Sequence, residues 1–157
     1  MSKSLKRVTA ALEAAGLPGR PVEMAVPTRT AAEAAAALGV EIDQIAKSIL
    51  FVGQSSGGLC LFLTAGGRQV VPERASALAG EALGRADAGE VRALSGFAIG
   101  GVAPLGLIGP VQIWADPRLG AFAEVWAAAG TPRHVFPAEP GALIAACGAE
   151  IADFAAG

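Results

Sequence analysis

The chain has 157 residues, of which 53% are apolar and 17% charged, with a formal net charge of −2. This is the size and make-up of one folded domain spanning residues 1–157, and it excludes a disordered or solvating chain. The small negative balance excludes nucleic-acid binding by bulk positive charge but leaves room for a locally basic contact.

From the start, Leu5, Val8, Leu12 and Ala15 fall on one side of an amphipathic helix, a pattern unlike a signal peptide. Pro21 to Val26 is extended. Thr30 and Glu33 have capping-box spacing and open a helix over Ala31 to Leu38, which Gly39 ends. A turn over Glu41 to Ile45 leads into a strand, Ala46 to Val52, rich in β-branched and aromatic residues. Gly53 to Gly58 is a loop, Leu59 to Thr64 a second strand, and Gly66-Gly67 a turn before Gln69 to Val71. Together these predict an antiparallel meander.

Pro72 to Leu83 reads as a helix with proline in its first turn, and Asp87 caps another over Ala88 to Leu94. Ala93 to Ala115 carries no charge, but five glycines, Pro104 and Pro110 make it a poor lipid-exposed helix. It reads as a buried loop followed by a strand, Val111 to Trp114, so a soluble, cytoplasmic protein without a membrane partner is expected. Val125 to Ala128 and Arg133 to Phe136 are further strands. Pro140 to Cys147 is a helix, and Ala149 to Phe154 a final strand or tail. Strands and helices interspersed in this way predict an α+β domain.

Two cysteines make no disulfide framework, and Cys60 and Cys147 read as small core residues. With one histidine as well, a Cys/His zinc site is nearly excluded, so neither metal nor cofactor is expected.

Lys47 stands out because Arg outnumbers Lys nine to three and the other lysines, Lys3 and Lys6, lie at the start. Strand alternation puts Lys47 on the face of Ile45, Ile49 and Phe51. A lysine there snorkels at a sheet edge, pairs with a carboxylate, or is a desolvated cation aimed into a cleft. The loop Gly100 to Gly106 is either a tight connection or a set of N–H donors for a carbonyl or phosphate. It is neither a dinucleotide fingerprint nor a P-loop. His134, the sole histidine, is open to a structural or a catalytic reading. Asp116 and Asp153 suit turns or caps, and each is able to partner a cation.

Three segments together resemble the YbaK/EbsC family, also called the prolyl-tRNA synthetase-associated or ProX-like editing domain. The first runs from Thr28-Arg-Thr-Ala-Ala-Glu through Leu38-Gly-Val40 to Gln44-Ile-Ala-Lys-Ser-Ile-Leu-Phe51. The second is Ser95-Gly-Phe-Ala-Ile-Gly-Gly-Val-Ala-Pro-Leu-Gly106. The third comprises Asp116 to Leu119, Val125-Trp-Ala-Ala-Ala-Gly130 and Ala149 to Asp153. The match runs in order from about residue 5 to residue 154.

The resemblance implies a mixed, mostly antiparallel, partly barrel-like sheet with surrounding helices. It also implies hydrolysis of the ester joining a wrong amino acid, such as Ala or Cys, to tRNA(Pro), with prolyl-tRNA synthetase as a possible partner. The family's lysine maps onto Lys47 and its glycine loop onto Gly100 to Pro104. The N–H groups of Gly100, Gly101, Val102 and Ala103 are then oxyanion donors. Met24, Thr28, Thr30, Ser48, Phe97 and Pro104 are wall candidates by their nearness to the motifs. His134 aligns, across a gap, with a histidine of the insertion domain in some synthetases. Arg20, Arg29, Arg68 and Arg133 are candidates for a phosphate patch. The rival readings are a non-catalytic tRNA- or synthetase-binding module and a hydrolase of esters on another carrier. Duplex DNA is disfavoured by charge and by the lack of a helix-turn-helix pattern.

Overall fold

The computed structural model describes residues 2–157. Helix α1 (Lys3–Ala14) is capped by the Ser2 hydroxyl, which accepts from the Leu5 N–H, and it buries Leu5, Val8 and Leu12. Strand β1 (Val22–Glu23) precedes helix α2 (Ala31–Leu38). The capping box at the start of α2 is formed in both directions, with Glu33 N–H to Thr30 Oγ1 and Thr30 N–H to Glu33 Oε1 each at 3.1 Å. Gly39, at φ +69°, closes the helix in the left-handed conformation that favours glycine. A 3₁₀ turn, Ile42–Gln44, leads into β2 (Ile45–Gly53), followed by β3 (Leu59–Ala65) and β4 (Gln69–Val70).

Helix α3 (Pro72–Ala79) is shorter than the Pro72 to Leu83 helix expected from sequence. Gly80, at φ +75°, terminates it, and Leu83–Arg85 forms strand β5 on the end of β2. Helix α4 (Ala88–Ser95), the glycine loop and β6 (Val111–Ala115) follow. Then come β7 (Val125–Ala128), β8 (His134–Ala138), α5 (Pro140–Ala146), β9 (Glu150–Ile151) and β10 (Ala155–Ala156). The expected final strand is thus two short pieces flanking Phe154, which is fully buried. No helix among the described residues is long and apolar enough to cross a membrane.

The main sheet runs β1-β8-β7-β2-β3-β6-β9, with β5 also beside β2. Among the described residues, four of its seven strand pairings are antiparallel and three parallel. The meander expectation holds for β2 and β3 and fails at β4, which leaves the sheet to pair with β10. β3 is buried along its whole length because both of its faces are covered. Leu61 and Leu63 face α1, Phe97 and Phe136, whereas Cys60 and Phe62 face Ala75 of α3, Trp114 and Phe154. Phe62 stacks on Trp114 with ring centroids 5.0 Å apart and meets Phe154 edge-on at 4.9 Å. Cys147 is half-buried against the first of these clusters, and burial pushes both thiols up in pKa.

One feature of the topology positions the site. On the side of β2 away from β3, β7 pairs only with Ile45 and Ala46, and β5 only with Phe51 to Gly53. Residues 47–50 therefore have no strand partner on that side.

Candidate active site

A cavity of about 510 Å³ opens beside this gap, lined by Ile45 to Ile49 of β2. Its walls come from β2, from α2 and the segment before it, from β7, and from the turn joining β7 to β8. Many wall residues are small: Ala31, Ala32, Ala34, Ala46, Ala127 and Ala128 leave the room that larger side chains would fill.

Lys47 lies between two apolar groups on its face of β2. Ile45 joins the α2 cluster on one side, while Ile49 and Phe51 join the Phe62 cluster on the other. Lys47 belongs to none of the three ion pairs among the described residues. Burial lowers its pKa below the ordinary lysine value, and nearby Asp43 opposes that shift. Asp43 is itself engaged elsewhere. Burial alone would raise its pKa, but hydrogen bonds from Arg118 Nε (2.9 Å) and the Gly67 N–H (2.8 Å) outweigh burial and hold the carboxyl below its usual range.

Two further wall residues present polar atoms without partners. Ser48 Oγ and Trp126 Nε1 are buried, and neither has a hydrogen bond among the described residues. A buried donor left unmade costs about 1–3 kcal/mol, and both of these belong to residues of the cavity wall. Among the described residues, Ser48 Oγ has no base within bonding distance. The histidine, His134, instead shares a 2.6 Å hydrogen bond between Nδ1 and Thr131 Oγ1. The cavity therefore contains no assembled serine–histidine nucleophile.

Of the residues singled out from sequence, Thr28, Thr30, Lys47, Ser48, Gly100, Val102 and His134 line the cavity. Met24, Phe97, Gly101, Ala103 and Pro104 do not. Phe97 is fully buried in the main core, with the Arg7 guanidinium 5.0 Å from its ring centroid. Ala103 is buried in the same core. The Gly101 N–H already donates to the Ala98 carbonyl at 3.0 Å, so it is not a free donor, while those of Gly100 and Val102 have no acceptor among the described residues. Gly101 instead allows close packing: a Cβ there would sit 2.8 Å from Thr131 Cα, so only glycine lets the loop lie against the β7–β8 turn. The turn is also tied to the segment before α2 by Thr28 N–H to Pro132 O at 2.9 Å.

The expected phosphate patch divides. Arg68 pairs with buried Asp116 at 3.0 Å, and Arg20 donates to the carbonyls of Leu17 and Gly19. Arg29 lines the cavity, and Arg133 lies beside it. Asp116 acts as both cap and partner, and Asp153 pairs with Arg74 at the surface.

Comparison with known proteins decides the family. Residues 25–146 match the model of the aminoacyl-tRNA editing domain. The chain belongs to the aminoacyl-tRNA editing domain family. A solved structure described as that of a candidate trans-editing enzyme for prolyl tRNA synthetase superposes with a TM-score of 0.92 at 46% identity, covering 100% of this chain and 99% of the other. A scaffold protein used for computational grafting of linear epitopes superposes at 0.90 with 43% identity, over 100% and 99% of the two chains. The hypothetical protein APE2540 superposes at 0.88 with 32% identity, over 96% and 99%. No curated protein matches the sequence. The editing-domain match spans the segment before α2, β2, the glycine loop and the β7–β8 turn, so it contains every wall of the cavity.

Proposed function

We propose that this editing domain acts in trans as a deacylase, hydrolysing the ester that joins a wrong amino acid to the 3′ end of tRNA(Pro). The observation that carries the reading is the cavity's content. An unpaired, partly desolvated lysine lies among small residues with two buried polar atoms that lack partners. That set suits a ligand rich in oxygens and with little bulk at one end, as an aminoacylated ribose is.

An aminoacyl ester is already activated, so no protein nucleophile is required. A water positioned by the neighbouring ribose hydroxyl adds to the ester carbonyl. The tetrahedral intermediate then breaks its bond to the ribose oxygen, which leaves with a proton, releasing free amino acid and intact tRNA. Lys47 offsets the negative charge that develops on the carbonyl oxygen, and the N–H groups of Gly100 and Val102 are additional donors. Ser48 Oγ and Trp126 Nε1 hold polar atoms of the aminoacyl-ribose. The alanine-lined wall admits a small residue such as alanine or cysteine and disfavours a larger one, a steric sieve of the editing kind. Prolyl-tRNA synthetase is the partner that this reading supplies.

The test is a deacylation panel. Purified protein is incubated with tRNA(Pro) charged with Ala, Cys, Ser, Thr or Pro, and with Ala-tRNA(Ala). The expected result is selective loss of ester from one or more small mischarged residues, with Pro-tRNA(Pro) preserved. No hydrolysis of any species, with prolyl-tRNA synthetase added, would instead make the domain a binding module.

Trp126 gives a sharper check. Trp126→Phe keeps the aromatic wall and deletes the orphan N–H. Without ligand the variant should be as stable as the parent or more so, because an unmade buried donor is removed. With ligand it should lose about 3- to 10-fold in kcat/KM, the worth of one neutral hydrogen bond. Thermal melts and the same deacylation assay read both effects.

A further inference from the structure

We propose that the Lys47 cavity is one end of a longer basic groove, and that this groove carries the phosphodiester backbone of the RNA whose 3′ end enters the cavity. The inference rests on the editing reading above and adds where the RNA lies. Three concavities run together across the molecule. The first holds Lys47. The second shares Arg29, Thr131 and His134 with it, and the third shares Ser2, Thr131 and Pro132 with the second. The β7–β8 turn is thus a common wall, and the groove continues from it over the start of α1 towards α4.

The charge along this path is one-sided. Six of the chain's twelve Lys and Arg residues line it (Lys3, Arg7, Arg29, Lys47, Arg92 and Arg133), against one of its fourteen Asp and Glu residues, Glu23. A chain with a net charge of −2 has therefore gathered half of its cations on one track. Arg7 is committed to structure, donating to the carbonyls of Gly96 (2.6 Å) and Gly106 (3.1 Å). It stiffens the groove where α1 meets the glycine loop. Arg29, on the wall the second concavity shares with the cavity, and Lys3, Arg92 and Arg133 beyond it are exposed and belong to none of the three ion pairs among the described residues. Arg133 Nη1 donates to the Ala25 carbonyl at 3.3 Å, and its other guanidinium N–H groups have no acceptor among the described residues. Exposed, unpaired cations in a row are what a polyanion needs, because each phosphate neutralised releases condensed counterions.

The groove explains how an acidic domain engages RNA without a basic surface overall. It also corrects the phosphate patch read from sequence, retaining Arg29 and Arg133, dropping Arg20 and Arg68, and adding Lys3 and Arg92.

The test uses the full chain and an unacylated RNA hairpin with a short single-stranded 3′ tail. Binding is followed by fluorescence anisotropy across a salt series. Four phosphate contacts to a single strand predict a slope of log K against log salt of about −3, from ~0.7 per contact. The combined variant Lys3→Ala, Arg92→Ala, Arg133→Ala should bring the slope to about −1 and weaken binding about hundredfold near 0.1 M salt. Each single variant should remove about 0.7 from the slope, which covers the case in which the triple variant folds poorly. Arg85→Ala, at a cation outside all three concavities, should leave the slope as it is. A groove-variant slope equal to the parent's, or no RNA binding by the parent at low salt, overturns the proposal and leaves the basic track to an acidic protein partner. Because the RNA carries no amino acid, the outcome is independent of ester hydrolysis. Groove binding without deacylation counts against the editing chemistry alone, and deacylation with an unaltered slope counts against the groove alone.

Discussion

Lys47→Met should abolish most deacylation while leaving the fold at least as stable as the parent. Methionine keeps the unbranched stem that lies between Ile45 and Ile49 and removes only the charge. Loss of one group that stabilises a developing oxyanion typically lowers the rate by about 10²–10³-fold, and kcat/KM is expected to fall in that range. Stability should move the other way, or not at all. Burial depresses the lysine's pKa in the fold, so the charged form disfavours folding below that pKa, and this penalty is relieved as the pH rises through it. At neutral pH the penalty is present, and Lys47→Met removes it. The pH profile is a second readout. Since the charged form does the work, the parent's rate should fall on the alkaline side through a pKa lower than the ordinary 10.5. That limb should be missing from the residual activity of the variant. A variant that edits at the parent's rate would remove Lys47 from the chemistry.

The parts of the site that were legible in the sequence are those set by local rules. The capping box of Thr30 and Glu33 and the left-handed Gly39 are interactions within one turn, so their spacing alone locates α2. Alternation along β2 likewise places Lys47 with Ile45, Ile49 and Phe51, as the two clusters flanking it show.

What was not legible depends on segments far apart in the chain. Nothing local to Trp126 says that β7 lies parallel to the start of β2, with Trp126 opposite Ile45, yet that pairing puts its indole in the cavity. Nor does the glycine loop reveal which of its residues face inward. Phe97 and Ala103 are drawn into the core by α1 and β3, leaving Gly100 and Val102 at the wall. The overlong helix at Pro72 has a different cause. Gly80 is a C-cap signal, and the run beyond it is a strand only because the end of β2 has an edge for Leu83–Arg85 to pair with. The glycine spacing of the loop reads as ligand chemistry. Gly101, however, is a packing residue, needed because Thr131 approaches too closely for any side chain.

Asp116→Ala should be the most destabilising single change near the site, though Asp116 never touches the cavity. Its carboxylate is fully buried and accepts three hydrogen bonds: from the Ala65 N–H at 3.2 Å, the Arg68 Nε at 3.0 Å and the Arg118 N–H at 3.0 Å. These bonds tie the end of β3 to the turn after β6. Through Arg68, which also donates to the Ala155 carbonyl at 2.8 Å, they reach the β4–β10 pair. Alanine would strand the Ala65 N–H and leave Arg68 without its counter-charge. Breaking a buried pair from one side costs about 3–5 kcal/mol. The arginine is 28% exposed and water reaches it, so the lower end, about 3 kcal/mol, applies. For a chain of this length that corresponds to a fall of roughly 6–12 °C in Tm, at about 2–4 °C per kcal/mol. Asp116→Asn keeps one acceptor oxygen and should lose about half as much. The site should feel the change through Arg118, whose backbone Asp116 holds and whose side chain holds Asp43, the carboxylate nearest in effect to Lys47. Calorimetry on the two variants checks the size of the loss. A shift under about 2 °C for Asp116→Ala would mean that the stranded N–H finds water and the network adds little.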